Sequence, residues 1–198
     1  MRKLAAIIIT NLCLSGSAIA TDITFELKVH YFGPSDQAFQ DIYGGGLMYG
    51  AEINIRAWES LDLWFGGNYF SKTGELTFTD EETELKLFTI GGGVKYRILS
   101  RIFALYVGLG LNYYQFKESN PIGEVSDGKL GLVGKIGSDI TISGGLAVDL
   151  YVKYASCKIQ PADFEIDIGG IMAGVGLGYK FLKSISPPSV QAPSRVAA

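Results

Sequence analysis

Ile171-Met172-Ala173-Gly174-Val175-Gly176-Leu177-Gly178-Tyr179-Lys180-Phe181 is the run whose reading decides the fold. Ile171, Ala173, Val175, Leu177, Tyr179 and Phe181 share one side of a two-residue repeat, while Met172, Gly174, Gly176, Gly178 and Lys180 take the other. That period belongs to a β-strand with one apolar face and one nearly bare face. A strand of a soluble sandwich turns its apolar face toward a core. Here the glycine face suits a narrow, crowded interior, which leaves the apolar face to look outward.

Seven earlier segments repeat the pattern, at about 23–32, 45–58, 61–70, 86–98, 102–116, 130–142 and 146–156. The eighth is expected to begin near Phe164, with a bulge at Gly169 and Gly170 bringing Ile166 and Ile168 into phase with Ile171. In 102–116 the aromatic residues fall on both faces, and Phe103, Leu105, Val107, Leu109, Leu111 and Tyr113 are assigned outward. Connections at 33–44, 71–85, 117–129 and 157–165 read as long loops, and those at 59–60, 99–101 and 143–145 as short turns. Strict alternation of long and short is the mark of an up-and-down barrel with short periplasmic turns and long external loops. The fold class expected is therefore all-β, an eight-stranded antiparallel up-and-down transmembrane β-barrel. Pairing its first strand with its last removes every edge of the sheet.

The faces opposite the apolar ones carry Glu26, Lys28, Glu52, Arg56, Asp62, Lys95, Arg97, Lys135, Asp139, Asp149, Lys153 and Lys180. Enclosed together, these five carboxylates and seven cations are expected to form a lumen charge network, since unpaired burial would be costly. A lipocalin-like soluble barrel would invert the two faces. The tight turns, the aromatic strand ends and the closing strand favour the membrane orientation.

Hydrophobic residues make up 47% of the chain and its mean hydropathy is +0.23, yet no run is long enough for a membrane-spanning helix. The apolar stretch 4–14 is too short; it follows Arg2 and Lys3 and leads to Ala18-Ile19-Ala20, as in a secretory signal peptide cleaved after residue 20. The organisation expected is a signal peptide at 1–20, a barrel at 21–182 and a disordered Pro-rich periplasmic tail at 183–198. Without Arg2 and Lys3, 15 basic residues stand against 20 acidic ones, a formal charge of −5 that argues against nucleic acid as a partner. Cys157 is then the one remaining cysteine, so no intrachain disulfide can form. The 26 glycines and 12% aromatic content fit curved strands with interfacial aromatic girdles.

The signal sequence, the eight alternating segments and the closing Gly176-Leu177-Gly178-Tyr179-Lys180-Phe181 resemble the small outer-membrane β-barrel family that includes the OmpA membrane domain, OmpX and opacity-type proteins. The resemblance implies a cell outer membrane location and recognition of the terminal aromatic strand by the barrel-assembly machinery. It also implies contact with outer-membrane lipid and lipopolysaccharide. It transfers the fold but not an activity. A non-enzymatic monomer is expected, structural or surface-interacting, with no catalytic, cofactor or metal site.

Two alternatives belong to other classes, a lipid-modifying barrel enzyme and a narrow pore. Lipid A deacylases, which the chain resembles in size, carry a His-x-Ser pair, whereas His30 is followed by Tyr31 and Phe32. No His or Cys cluster supports a metal, and none of the glycine runs has a phosphate-loop ending. The surface-interaction reading rests on acidic residues in or beside the long loops: Asp36, Asp41, Glu75, Asp80, Glu81, Glu82, Glu84, Glu118, Glu124, Asp127, Asp163 and Glu165.

Overall fold

The computed structural model describes residues 22–75, 82–98, 103–121, 123–160 and 166–181. The expected signal peptide, the tail, and Asp80, Glu81, Asp163 and Glu165 lie outside them. In chain order the elements are β1 (Ile23–Pro34), α1 (Gln37–Tyr43), β2 (Gly46–Trp58), β3 (Leu61–Glu75), β4 (Glu82–Arg97), β5 (Phe103–Asn120), β6 (Gly123–Thr141), a 3-10 turn (Ser143–Gly145), β7 (Leu146–Ser156), β8 (Lys158–Ile159), β9 (Ile166–Asp167) and β10 (Gly170–Phe181). Eight of these strands close into one antiparallel barrel in the order β1-β10-β7-β6-β5-β4-β3-β2. The seam joins Ile23 to Phe181 and continues in register to Pro34 opposite Gly170.

Alternation fixes which face each residue takes. On β1, Ile23, Phe25, Leu27, Val29 and Tyr31 are exposed while Thr24, Glu26, Lys28, His30 and Phe32 are buried. The outward β5 set is as the sequence suggests, with Leu109 70% exposed and Tyr106, Tyr114 and Phe116 enclosed. An exposed apolar belt of this extent is stable only against lipid. Aromatic residues mark its margins. Tyr49, Tyr69 and Phe88 follow one another across three strands near the long-connection end. Trp58, Tyr96 and Tyr179 stand near the short-turn end. No described helix is long and apolar enough to cross a membrane, so crossing falls to the strands.

Two expected long loops are largely strand instead. Pairing of β3 with β4 runs out to Glu75 opposite Glu82, and that of β5 with β6 to Asn120 opposite Gly123. Polar residues such as Lys72, Thr73, Glu84 and Lys117 hide this from a hydrophobicity reading, because hairpins standing in water need no apolar face. Strands of 15 to 19 residues exceed the roughly 10 that a tilted crossing requires. The surplus forms a four-stranded sheet projecting from the mouth.

The first expected loop contains α1, capped by the Asp36 carboxylate, which accepts from the Phe39 amide at 3.1 Å. The expected bulge at Gly169 and Gly170 is absent. Ile166 and Asp167 leave the barrel and pair with Ile159 and Lys158, and β10 starts only at Gly170. Asp167 makes that excursion by accepting from the Cys157 amide at 2.9 Å and the Gly169 amide at 2.8 Å. A register shift does occur elsewhere, between Arg56 and Trp58 on β2.

Candidate functional site

The lumen has two levels. In the one nearer the short turns, β1 presents Glu26, Lys28 and His30 opposite Gly178, Gly176 and Gly174 of β10. A Cβ on Gly174 would collide with the His30 side chain and the Val29 carbonyl, and one on Gly110 would meet the Trp64 ring. The bare positions therefore make room for long side chains rising from neighbouring strands.

Lys28 is the hub. Its ammonium lies 2.8 Å from Asp149, 3.0 Å from Glu26 and 3.2 Å from Glu52. Lys135 donates to Glu52 at 2.7 Å and sits 4.1 Å over the Trp64 ring. Lys95, fully enclosed, stands 3.8 Å from Glu52, 3.7 Å from Asp139 and 4.2 Å from the Tyr106 ring centre. Tyr106 donates to Asp149 at 2.8 Å, and Asn54 to Glu26 at 3.0 Å. Toward the short-turn mouth, Asp62 holds Arg56 at 2.5 Å and Arg97 at 2.6 Å, and Arg97 reaches Asp139 at 3.3 Å.

Ten of the twelve residues singled out in the sequence thus lie in one connected network: Glu26, Lys28, Glu52, Arg56, Asp62, Lys95, Arg97, Lys135, Asp139 and Asp149. The other two stand apart. Lys180 is at the rim, 2.9 Å from Asp22. Lys153 is buried on β7 without an ion pair among the described residues.

Glu26, Asp139 and Asp149 bring three carboxylate oxygens within 4.8 Å of one another, the ligand type a hard cation takes. Lys28 already supplies positive charge to two of them, and Lys95 and Arg97 flank the third. His30 is 1% exposed and its Nδ1 lies 2.8 Å from the Tyr151 hydroxyl. A general base must reach a substrate proton. His30 is walled in between the two levels and has no serine or carboxylate among its described hydrogen-bond partners.

The second level was not anticipated. Phe32, Met48, Phe70, Leu85, Leu87, Phe116 and Met172 share the lumen-facing side of their strands with the charged residues, yet pack as one apolar cluster toward the long-connection mouth. Strand parity alone would have revealed them. Phe39 and Tyr43 of α1 cover the cluster, joined by Cys157, Ile159 and Ile168. Tyr43 meets Thr83 at 3.2 Å, and Thr83 donates to Glu118 at 3.1 Å, which ties the helix to the projecting sheet. Burial pushes the Tyr43 phenol well above its usual range and the Cys157 thiol up to about 11, the nearby Asp167 carboxylate adding to the latter.

The family model for the outer membrane protein beta-barrel domain matches residues 14–181. Among solved structures, the Neisserial surface protein A is similar at 12% identity with a TM-score of 0.62, covering 82% of this chain and 98% of that one. The N-terminal barrel of Pseudomonas aeruginosa OprF is similar at 13% identity and 0.53, covering 81% and 97%. The attachment invasion locus protein Ail of Yersinia pestis is similar at 14% and 0.52, covering 81% and 100%. At such identities the likeness speaks for the fold alone. No curated protein matches the sequence. The closed antiparallel barrel, its apolar outer belt and the family match over nearly the whole described chain lead to one conclusion: this protein belongs to the outer membrane β-barrel domain family and resides in the outer membrane.

Proposed function

We propose that the protein is a non-enzymatic barrel, exported by its N-terminal signal, that acts at the cell surface through its acidic outer hairpins. One observation carries the reading: both levels of the lumen are filled by side chains, ionic below and apolar above. That leaves the projecting sheet as the part that meets other molecules. The acids placed there are Glu82, Glu84, Glu118, Glu124 and Asp127. Glu84 is paired with Lys86 at 2.9 Å and Glu124 with Lys117 at 2.7 Å, which leaves Glu82, Glu118 and Asp127 against Lys72 and Lys129, a small acidic excess. Lipid and lipopolysaccharide surround the belt in this reading, and the assembly machinery meets Tyr179 and Phe181, whose rings stack edge to face with centres 4.9 Å apart.

The test has two arms. Pure protein in a planar bilayer is expected to show no steady single-channel conductance, and such conductance would replace the filled plug by a pore. Cells displaying the protein are expected to adhere to a polylysine surface several-fold better than cells displaying the Glu82→Gln, Glu118→Gln, Asp127→Asn variant. Equal adhesion would remove the acidic surface from the proposal.

A further inference from the structure

The apolar outer belt is interrupted on β6. Its outward positions from Leu132 to Ile140 are Leu132, Gly134, Ile136, Ser138 and Ile140, and of these only Ser138 bears a polar side chain. Strand pairing sets it directly between Leu105 of β5 and Leu150 of β7, both exposed on the outer wall. Ser138 itself is 8% exposed, and its Oγ has no hydrogen-bond partner among the described residues. The hydrocarbon layer holds no water to supply one, and a hydroxyl without a partner there is costly.

The short side chain leaves a hollow of about 720 Å³ in the wall, with Ser138 on its floor among Leu105, Val107, Ile136, Leu150 and Val152. At one end lies Ile98, whose amide donates to the Leu105 carbonyl at 2.8 Å where the chain turns from β4 to β5. The hollow therefore opens at the short-turn margin of the belt. In the other direction it shares Val107, Ile136 and Val152 with a second hollow of about 430 Å³ over Gly134, which stands between Leu109 and Tyr154. The two make a furrow along β6 that runs from the margin into the belt.

We propose that this furrow seats one acyl chain of a phospholipid from the periplasm-facing leaflet, with the ester carbonyl of that chain accepting a hydrogen bond from the Ser138 Oγ. Depth, width and chemistry choose the occupant. Ser138 lies three positions before Thr141, the end of β6, so it stands about 10 Å along the strand from the short-turn margin, with the apolar furrow beyond it. An ester at the edge of the hydrocarbon with its tail running inward matches that order. Short turns face the periplasm in barrels of this architecture, which makes the leaflet the phospholipid one. The lines of β5 and β7 are two strand spacings apart, about 10 Å, and a helix of about 10 Å diameter would ride on Leu105 and Leu150 without reaching the serine. No hydrogen bond holds the hydroxyl in its present rotamer, so it can turn to meet an acceptor. Nothing in this seat depends on the acidic hairpins.

The experiment titrates the full chain, delipidated in detergent, with a diester phosphatidylethanolamine and with its diether analogue, which keeps both tails but lacks the carbonyls. Bound lipid is counted by native mass spectrometry. One diester lipid is expected to bind about tenfold more tightly than the diether, the worth of one net hydrogen bond. Ser138→Ala is expected to bring the two lipids to the same affinity by weakening the diester alone. Ser138→Leu and Gly134→Leu, which fill the two hollows, are expected to abolish the one-to-one complex with either lipid while the barrel unfolds as the natural chain does.

Equal binding of diester and diether to the natural chain, or a preference that survives in Ser138→Ala, would overturn the proposal. So would a one-to-one complex that persists in both leucine variants, or displacement of the diester by lipopolysaccharide at equal concentration. A dimer that forms without lipid and dissolves in Ser138→Leu would make a second copy of the chain the occupant and overturn it as well. Ser138→Ala removes a single oxygen, which keeps the test decisive if the leucine variants misfold.

Discussion

The two levels of the lumen share one wall and one pattern of strand pairing, yet they are filled by opposite chemistry. Leu85 and Leu87 above are fully enclosed, whereas the Arg56 and Arg97 side chains below are 20% and 14% exposed. The difference follows what covers each mouth. Above, α1 and the β8–β9 ribbon lay Phe39, Tyr43, Ile159 and Ile168 across the opening, so apolar side chains stay dry. Below, the described turns at Glu59–Ser60 and Ser143–Gly145 are too short to cross a barrel mouth. A filling that meets water at its rim is best built from groups that water also satisfies. The barrel is therefore a core of two halves, each matched to its cover.

The strongest way to break that comparison is to remove one charge from the closed network. Glu52 serves Lys135 at 2.7 Å, Lys28 at 3.2 Å and Lys95 at 3.8 Å. Glu52→Ala is expected to lower the unfolding free energy in lipid vesicles by about 4 kcal/mol, because it leaves three buried ammonium groups short of a counter-charge. A loss under about 1 kcal/mol would mean that the lower level behaves like a hydrated surface. The upper level answers to packing instead. Leu87→Ala is expected to cost about 3 kcal/mol through the cavity it leaves, with little dependence on salt. A cost that changed steeply with ionic strength would show that the two levels are one electrostatic unit.

How much of this was legible in the sequence depended on where each residue's environment leaves a periodic trace. Lipid on one side and a crowded interior on the other force strict alternation, so β7 is found with the bounds the pattern indicates, β1 and β2 differ only at their ends, and β10 keeps its pattern from Gly170 on but lacks the expected start near Phe164 and the expected bulge. The charged lumen residues stand out because a charge opposite an apolar face is rare without a partner. The projecting parts of β3 to β6 leave little such trace, since most of their side chains meet water and they are held by main-chain pairing and by Thr83, which meets Tyr43 of α1 and donates to Glu118. The apolar upper level was hidden for the opposite reason. Phe70 and Leu87 face inward beside outward Tyr69 and Phe88, so the two faces there differ in direction but not in polarity, and only strand parity carried on from the charged positions separates them. Which of the two mouths is covered depends on α1 and the Asp36 and Asp167 carboxylates, whose contacts span distant parts of the chain: the Asp167 amide donates to Asp36 at 3.4 Å across 131 residues.

The smallest effect tests how dry the covered mouth is. Cys157 is 2% exposed, and burial with Asp167 nearby raises its thiol to about 11, against roughly 8.5 for a free cysteine. The thiolate is the reactive form, so alkylation by a maleimide at pH 8 is expected to run about a hundredfold or more below that of an exposed cysteine. The sign of the linked stability follows from the same shift. The folded chain holds the thiol proton more tightly than the unfolded chain, so the contribution is complete below about pH 8.5. It falls away as pH rises toward about 11. Cys157→Ala has no such group, and its stability deficit relative to the natural chain is expected to shrink across that window. A deficit that stays constant to high pH, with fast alkylation at pH 8, would place water at Cys157 and remove the dry cover from which the contrast between the two levels is argued.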